Sequence, residues 1–124
     1  MIFVFGSNEA GIHGGGAAYF AKCRHGAIKG RGVGRQGNSY AIPTMNAEIE
    51  PLALEKIAAY VRDFLDYARA HPAEEFQVTA VGCGIAGFTN EQIAPLFADA
   101  PSNCLFDDAW KPFLGAAKKY WGAF

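Results

Sequence analysis

The amino-acid sequence predicts an α/β protein, a three-layer α/β/α domain on a mainly parallel sheet. Short apolar runs alternate with segments of helical periodicity along the whole chain. Those runs are apolar at every position rather than at every second one, the pattern of strands covered on both faces. Two glycine-rich stretches, 6–16 and 82–88, each follow an apolar run and precede a helical segment. Strands and helices in alternation argue for parallel pairing through right-handed crossovers, with ligands bound outside the carboxyl ends of the strands.

The elements follow in the order β-α-β-α-β-α-β-α. Residues 2–5 (IFVF) form a first strand ended by Gly6. The loop GSNEAGIHGGG leads into a short helix from Ala17 to Arg24, with Gly26 as its stop. Residues 26–38 hold a further set of glycines and read as a loop or weak hairpin. Residues 39–43 (SYAIP) form a second strand, closed by Pro43. A helix spans 51–70: Pro51 suits its first position, and Leu54, Ile57, Ala58, Val61, Phe64, Leu65 and Ala68 lie on one stripe. His71-Pro72 ends it. Residues 76–81 (FQVTAV) form a third strand, and Thr89 with Gln92 has capping-box spacing for a helix through Ala98. Residues 103–106 (NCLF) form a fourth strand, after which Asp107 or Asp108 caps a last helix reaching Trp121.

The 124 residues suit one domain, 1–124, and at 51% hydrophobic and 19% charged they exclude a disordered chain. A net charge of −1 gives no global field to hold nucleic acid or an anionic membrane. The 3 cysteines, Cys23, Cys83 and Cys104, show no CxxC spacing. That excludes a disulfide scaffold, argues against zinc, and fits reduced thiols in a cytoplasmic protein. Cys23 and Cys104 are expected in the core, and Cys83 beneath the second glycine loop. No apolar run approaches the roughly 20 residues of a membrane span, and Met1–Phe5 lacks the basic segment of a signal peptide. No metal or cofactor is implied.

The 15 glycines far exceed the roughly 7% of an average chain, and they are concentrated before residue 38 and at 82–87. A helix N-terminus carries unpaired N–H groups and about half a positive charge, and glycine lets an anion approach it closely. Two such turns side by side wrap a diphosphate without any Lys or Arg. One glycine turn alone is ordinarily only a turn. The chain has no GxxxxGK[ST] string and no properly spaced GxGxxG.

Phe5-Gly6-Ser7-Asn8 followed by Gly14-Gly15-Gly16-Ala17-Ala18 resembles the macrodomain pattern of a strand ending in Asn and then a triple glycine opening a helix. Val81-Gly82-Cys83-Gly84-Ile85-Ala86-Gly87-Phe88 is similar to the second macrodomain phosphate loop, in the form found in the terminal-ADP-ribose glycohydrolase branch. The resemblance covers most of the chain and implies an ADP-ribose-type ligand. It implies that Ser7 and Asn8 lie at the site, Asn8 on the distal ribose. It places the diphosphate on the amides of Gly14, Gly15, Gly16, Gly84, Ile85, Ala86 and Gly87, with Gly82 and Cys83 leading into that loop and Phe88 packing on the ribose. It also implies ADP-ribosylated proteins as partners. The pattern departs from the family in three places. The chain starts at the Asn-bearing strand, without the adenine-contacting Asp-Ile pair. Ala17 and Ala18 stand where one hydrolytic branch has an Asp, and Ala86 stands where the glycohydrolase branch has its catalytic Asp.

A binding module is therefore expected first. An ADP-ribosyl hydrolase acting on ADP-ribosylated protein or O-acetyl-ADP-ribose is the alternative. Its chemistry falls to Glu9, steadying an oxocarbenium-like charge, and His13, activating water near neutral pH. The plainer reading is that both are solvated loop residues. Cys83 at a strand end offers a thiol of lowered pKa or, more plainly, a small packed residue. Lys29, Arg31 and Arg35 offer a basic flap or an ordinary exposed loop. Tyr120, Trp121 and Phe124 offer a stacking surface or the core-facing side of a terminal helix.

Overall fold

The computed structural model describes residues 1–124. Its 6-stranded sheet has the order β2-β3-β1-β4-β5-β6. The strands are β1 (Ile2–Asn8), β2 (Gly34–Gln36), β3 (Ser39–Met45), β4 (Phe76–Val78), β5 (Cys104–Asp107) and β6 (Lys119–Gly122). Only β2 runs antiparallel to its neighbour; β1 lies parallel to β3 on one side and to β4 on the other. Helix α1 (Gly16–Arg24) connects β1 to the hairpin, and α2 (Leu54–Ala70) carries the chain back past β1 to β4. The direction of winding thus reverses at β1, which opens a crevice between the ends of β1 and β4.

Continuous apolarity in β1 has the expected cause. Ile2 and Val4 enter the large core under α2, with Ile57, Val61, Phe64, Leu65 and Phe76. Phe3 and Phe5 enter a smaller core under α1, with Ala18, Ala21 and Ala41. No helix is long and apolar enough to cross a membrane.

Element boundaries differ from the sequence reading in ways that have local causes. β1 runs on through Gly6 to Asn8 because the strand there passes against the next loop: a Cβ on Gly6 would sit 3.2 Å from the Gly82 nitrogen. β3 continues through Pro43 to Met45. β2 pairs only as far as Ala41, so the missing N–H of Pro43 falls on an unpaired edge. The 26–38 stretch contains a hairpin, whose turn is Gly37-Asn38 with Gly37 at φ +57°. α2 starts at Leu54 rather than Pro51, since Leu52 donates to the Thr44 carbonyl at 3.0 Å and Pro51 bridges Met45. β4 stops at Val78, three residues short of expectation. The Thr89–Gln92 capping box forms, but the helix it opens, α3 (Asn90–Ile93), gives way to a 3-10 turn over Ala94–Phe97 at Pro95.

The last predicted helix is largely absent. Asp107 caps a 3-10 turn (Asp108–Trp110), α4 covers only Lys111–Leu114, and Gly115 at φ +82° ends it. Tyr120 and Trp121 then lie in β6, where aromatic residues are at home. The Trp121 indole donates to the Val78 carbonyl at 2.9 Å, across the sheet face that α1 leaves uncovered. Cys104 is buried as expected, but Cys23 is exposed: α1 turns only Ala18 and Ala21 inward.

Phe64 is fully buried and meets Tyr40, Phe76 and Phe97 edge-on at centroid distances of 5.0, 5.5 and 6.2 Å. Phe64→Ala should cost about 3–5 kcal/mol. Urea denaturation is expected to show a lower midpoint at unchanged slope.

Candidate functional site

A cavity of about 590 Å3 opens over the carboxyl ends of β1, β3, β4 and β5, within the roughly 300–1,000 Å3 of small-molecule sites. Its floor is Gly6, Ser7 and Asn8 of β1, with Thr44 and Met45 of β3 and Thr79 beyond β4. One wall is Gly14 through Ala18, and the facing wall is Gly82 through Ile85. The two walls come close together: a Cβ on Gly15 would lie 3.9 Å from Ile85 Cδ1. Both glycine stretches therefore meet at one place, the reversal point of the sheet.

The backbone on each wall has donors to spare. None of the N–H groups of Gly14, Gly15, Gly16, Ala17 or Ala18 meets a protein acceptor, and Gly15, the N-cap of α1, supplies no side-chain cap. Opposite, Gly87 donates to the Gly84 carbonyl at 3.0 Å and Phe88 to the Gly82 carbonyl at 2.9 Å, closing a tight turn. That turn leaves the N–H groups of Gly84, Ile85 and Ala86 unpaired. The second wall works through its bare turn alone, because the Thr89–Gln92 box satisfies the start of α3. Unpaired amides in such a concavity favour an anion.

No Lys, Arg or His lines the cavity; its one charged side chain is Asp107, at the end of β5. Asp107 is 7% exposed, and its Oδ1 accepts from the Ala109 N–H at 2.9 Å, while Oδ2 has no protein partner. The Phe124 ring, 59% exposed, also lines the cavity, on the side of α1. Phe124 leans on Phe20 and Phe3 at 5.2 and 5.8 Å.

The sequence-predicted residues divide sharply. Ser7, Asn8, Gly14, Gly15, Gly16, Gly82, Cys83, Gly84 and Ile85 line the cavity; Ala86, Gly87, Phe88, Glu9 and His13 do not. Phe88 packs against the α2-side core. Asn8 spends its amide on the loop, accepting from the Ile12 N–H at 3.0 Å and donating to the Ile12 carbonyl at 2.8 Å. Ser7 donates to the Gly32 carbonyl. Glu9 turns toward α2, where Tyr60 donates to its carboxylate and Lys56 Nζ lies 2.9 Å away. These two partners hold the Glu9 carboxyl below its ordinary 4.5, and the carboxylate pushes the Tyr60 hydroxyl up to about 12. His13 is buried beneath the loop, edge-on to Phe5, with Nε2 donating to the Arg31 carbonyl at 3.1 Å. Neither group expected to do chemistry reaches the cavity.

The basic flap is also absent from it. Arg35 is tied to Glu74 and Tyr67, each at 2.9 Å, and the Arg31 and Gly32 backbone packs under the first loop. Burial raises the Cys83 thiol above its ordinary value, so it is no thiolate nucleophile at neutral pH.

Sequence reasoning missed Ile49. It is the single non-glycine residue of positive φ, at +62°, and it lines the cavity. A β-branched residue in that region costs about 1–3 kcal/mol.

No protein-family model, no curated protein and no solved structure matches this chain.

Two measurements check this geometry. Glu9→Gln should lower stability at pH 7. The depressed carboxyl contributes above its unfolded value of 4.5 and loses that contribution as pH falls through the folded value, so the gap to wild type should close in acid. Limiting iodoacetamide at pH 7.5 should label exposed Cys23 first, with Cys83 slower and Cys104, raised to about 12 by burial, last by peptide mass spectrometry.

Proposed function

We propose that the chain binds ADP-ribose or a closely related ADP-ribosyl nucleotide, with the diphosphate between the Gly14–Ala18 and Gly84–Ile85 amides. The observation that carries this reading is a pair of facing walls rich in unpaired N–H groups, around a cavity with no cationic side chain. Neutral dipoles hold a doubly charged linker at close range without the long side chains that a free phosphate site usually employs. The macrodomain-like order of the two motifs, Asn8 with Gly14–Gly16 and then Gly82–Phe88, supports the same ligand.

Asp107 gives the ligand a direction. Its carboxylate repels phosphate and accepts from an exocyclic amine. The base accordingly lies at the β5 end and the diphosphate at the centre. ADP-ribose carried on a modified protein is the corresponding macromolecular partner. Binding is favoured over hydrolysis because Glu9 and His13 are engaged with Lys56, Tyr60 and Arg31 away from the cavity, and Ala17, Ala18 and Ala86 offer no carboxylate.

Gly15→Glu and Gly84→Glu test the reading directly. A Cβ at Gly84 meets nothing within 4 Å, and one at Gly15 meets only Ile85, while neither backbone has positive φ. Both variants should keep their melting temperature within about 2 °C. Each should bind ADP-ribose at least about tenfold more weakly by calorimetry. Wild-type affinity in both would remove the diphosphate assignment.

A further inference from the structure

Ile49 sits in a loop whose shape is over-determined. The Asn46 side-chain oxygen accepts from Glu48 and Glu50, both at 3.0 Å. The Asn46 N–H donates to the Glu50 carbonyl at 2.8 Å, and the Ile49 N–H to the Asn46 carbonyl at 3.1 Å. These bonds drive residue 49 into the left-handed region, where Gly or Asn is the low-cost occupant. Isoleucine is a poor one, because its branched Cβ crowds the backbone.

Folding gives nothing visible in return. Ile49 is 42% exposed and belongs to neither core cluster. Its side chain lies on the cavity instead, as do exposed Ile12 and Ile85. A strained residue that stabilises no core, placed on the rim of a binding cavity, is the usual mark of function.

Its position says which part of a ligand it meets. The loop follows β3, while Asp107 ends β5, and β1 and β4 lie between them. Three strand spacings separate the two ends by roughly 14 Å. With the base beside Asp107 and the diphosphate at the central amides, the group beyond the second phosphate falls at the β3 end. We infer that Ile49 is a specificity residue, an apolar wall against the sugar that ADP-ribose carries and ADP lacks. This inference rests on the proposed nucleotide site. Apolar contact suits the carbon-bearing face of a ribose, and Met45 lines the same end.

The test uses Ile49→Gly and Ile49→Asn, both at ease at positive φ. Each unliganded variant should melt about 3–6 °C higher than wild type, since strain is relieved. Each should bind ADP-ribose about five- to tenfold more weakly and ADP with unchanged affinity. Asn keeps the loop stiff where Gly loosens it, so agreement between the two excludes a mere flexibility effect. A fall in melting temperature in both would make Ile49 a folding residue and overturn the inference. So would equal weakening of both ligands, or of neither. Failure of the wild-type protein to bind either nucleotide would instead sink the nucleotide site itself, a result visible before any variant is made.

Discussion

β1 is paired in parallel on both sides, with β3 and with β4, and every feature of the cavity follows from that placement. Because the chain winds first to one side of β1 and then to the other, the loops after β1 and after β4 leave the sheet next to each other. Gly6 and Gly82 let the two exits approach until backbone nearly touches backbone. A side chain at Gly6 would press on the Gly82 nitrogen at 3.2 Å and force a local shift between the two exits. The constraint is steric, and the chemistry of the site is its consequence.

The amides differ in kind on the two walls. The first wall adds the aligned peptides of α1 to its free N–H groups, so part of its potential comes from the helix. The second wall is a tight turn whose following helix is self-capped. A ligand in a cavity of peptide dipoles and one carboxylate would be selected by shape and donor placement, since no mobile cation lines it.

Much of this was legible in the sequence. The parallel strands declared themselves through unbroken apolar runs such as IFVF, and α2 through its repeat of Ile57, Val61, Phe64 and Ala68. The glycine stretches marked the cavity because backbone chemistry depends on residue type locally. Side-chain chemistry was harder to read. Glu9 and His13 look poised in the loop, but partners distant in sequence, Tyr60 and Arg31, decide where they point. Tyr120 and Trp121 read as the face of a helix, yet the free edge of β5 and the Val78 carbonyl draw them into a strand. Asp107 was read in the sequence as a cap, a role it keeps while also lining the cavity. Ile49 gave no local sign, since the backbone angle comes from the bonding of Asn46 rather than from isoleucine itself.

The first loop is fastened at several separate points: Ser7 to Gly32, Asn8 to Ile12, Glu9 to Lys56 and Tyr60, and His13 to Arg31. None of these ties uses the unpaired Gly14–Ala18 amides, so the loop is held in one shape with those amides left free. Under the proposed reading, little conformational freedom would remain to be surrendered on association, and most of each new contact would be retained as affinity. The polar residues that seem most reactive in this loop thus act as guy-ropes: they fix its shape and leave the peptide backbone free at the cavity.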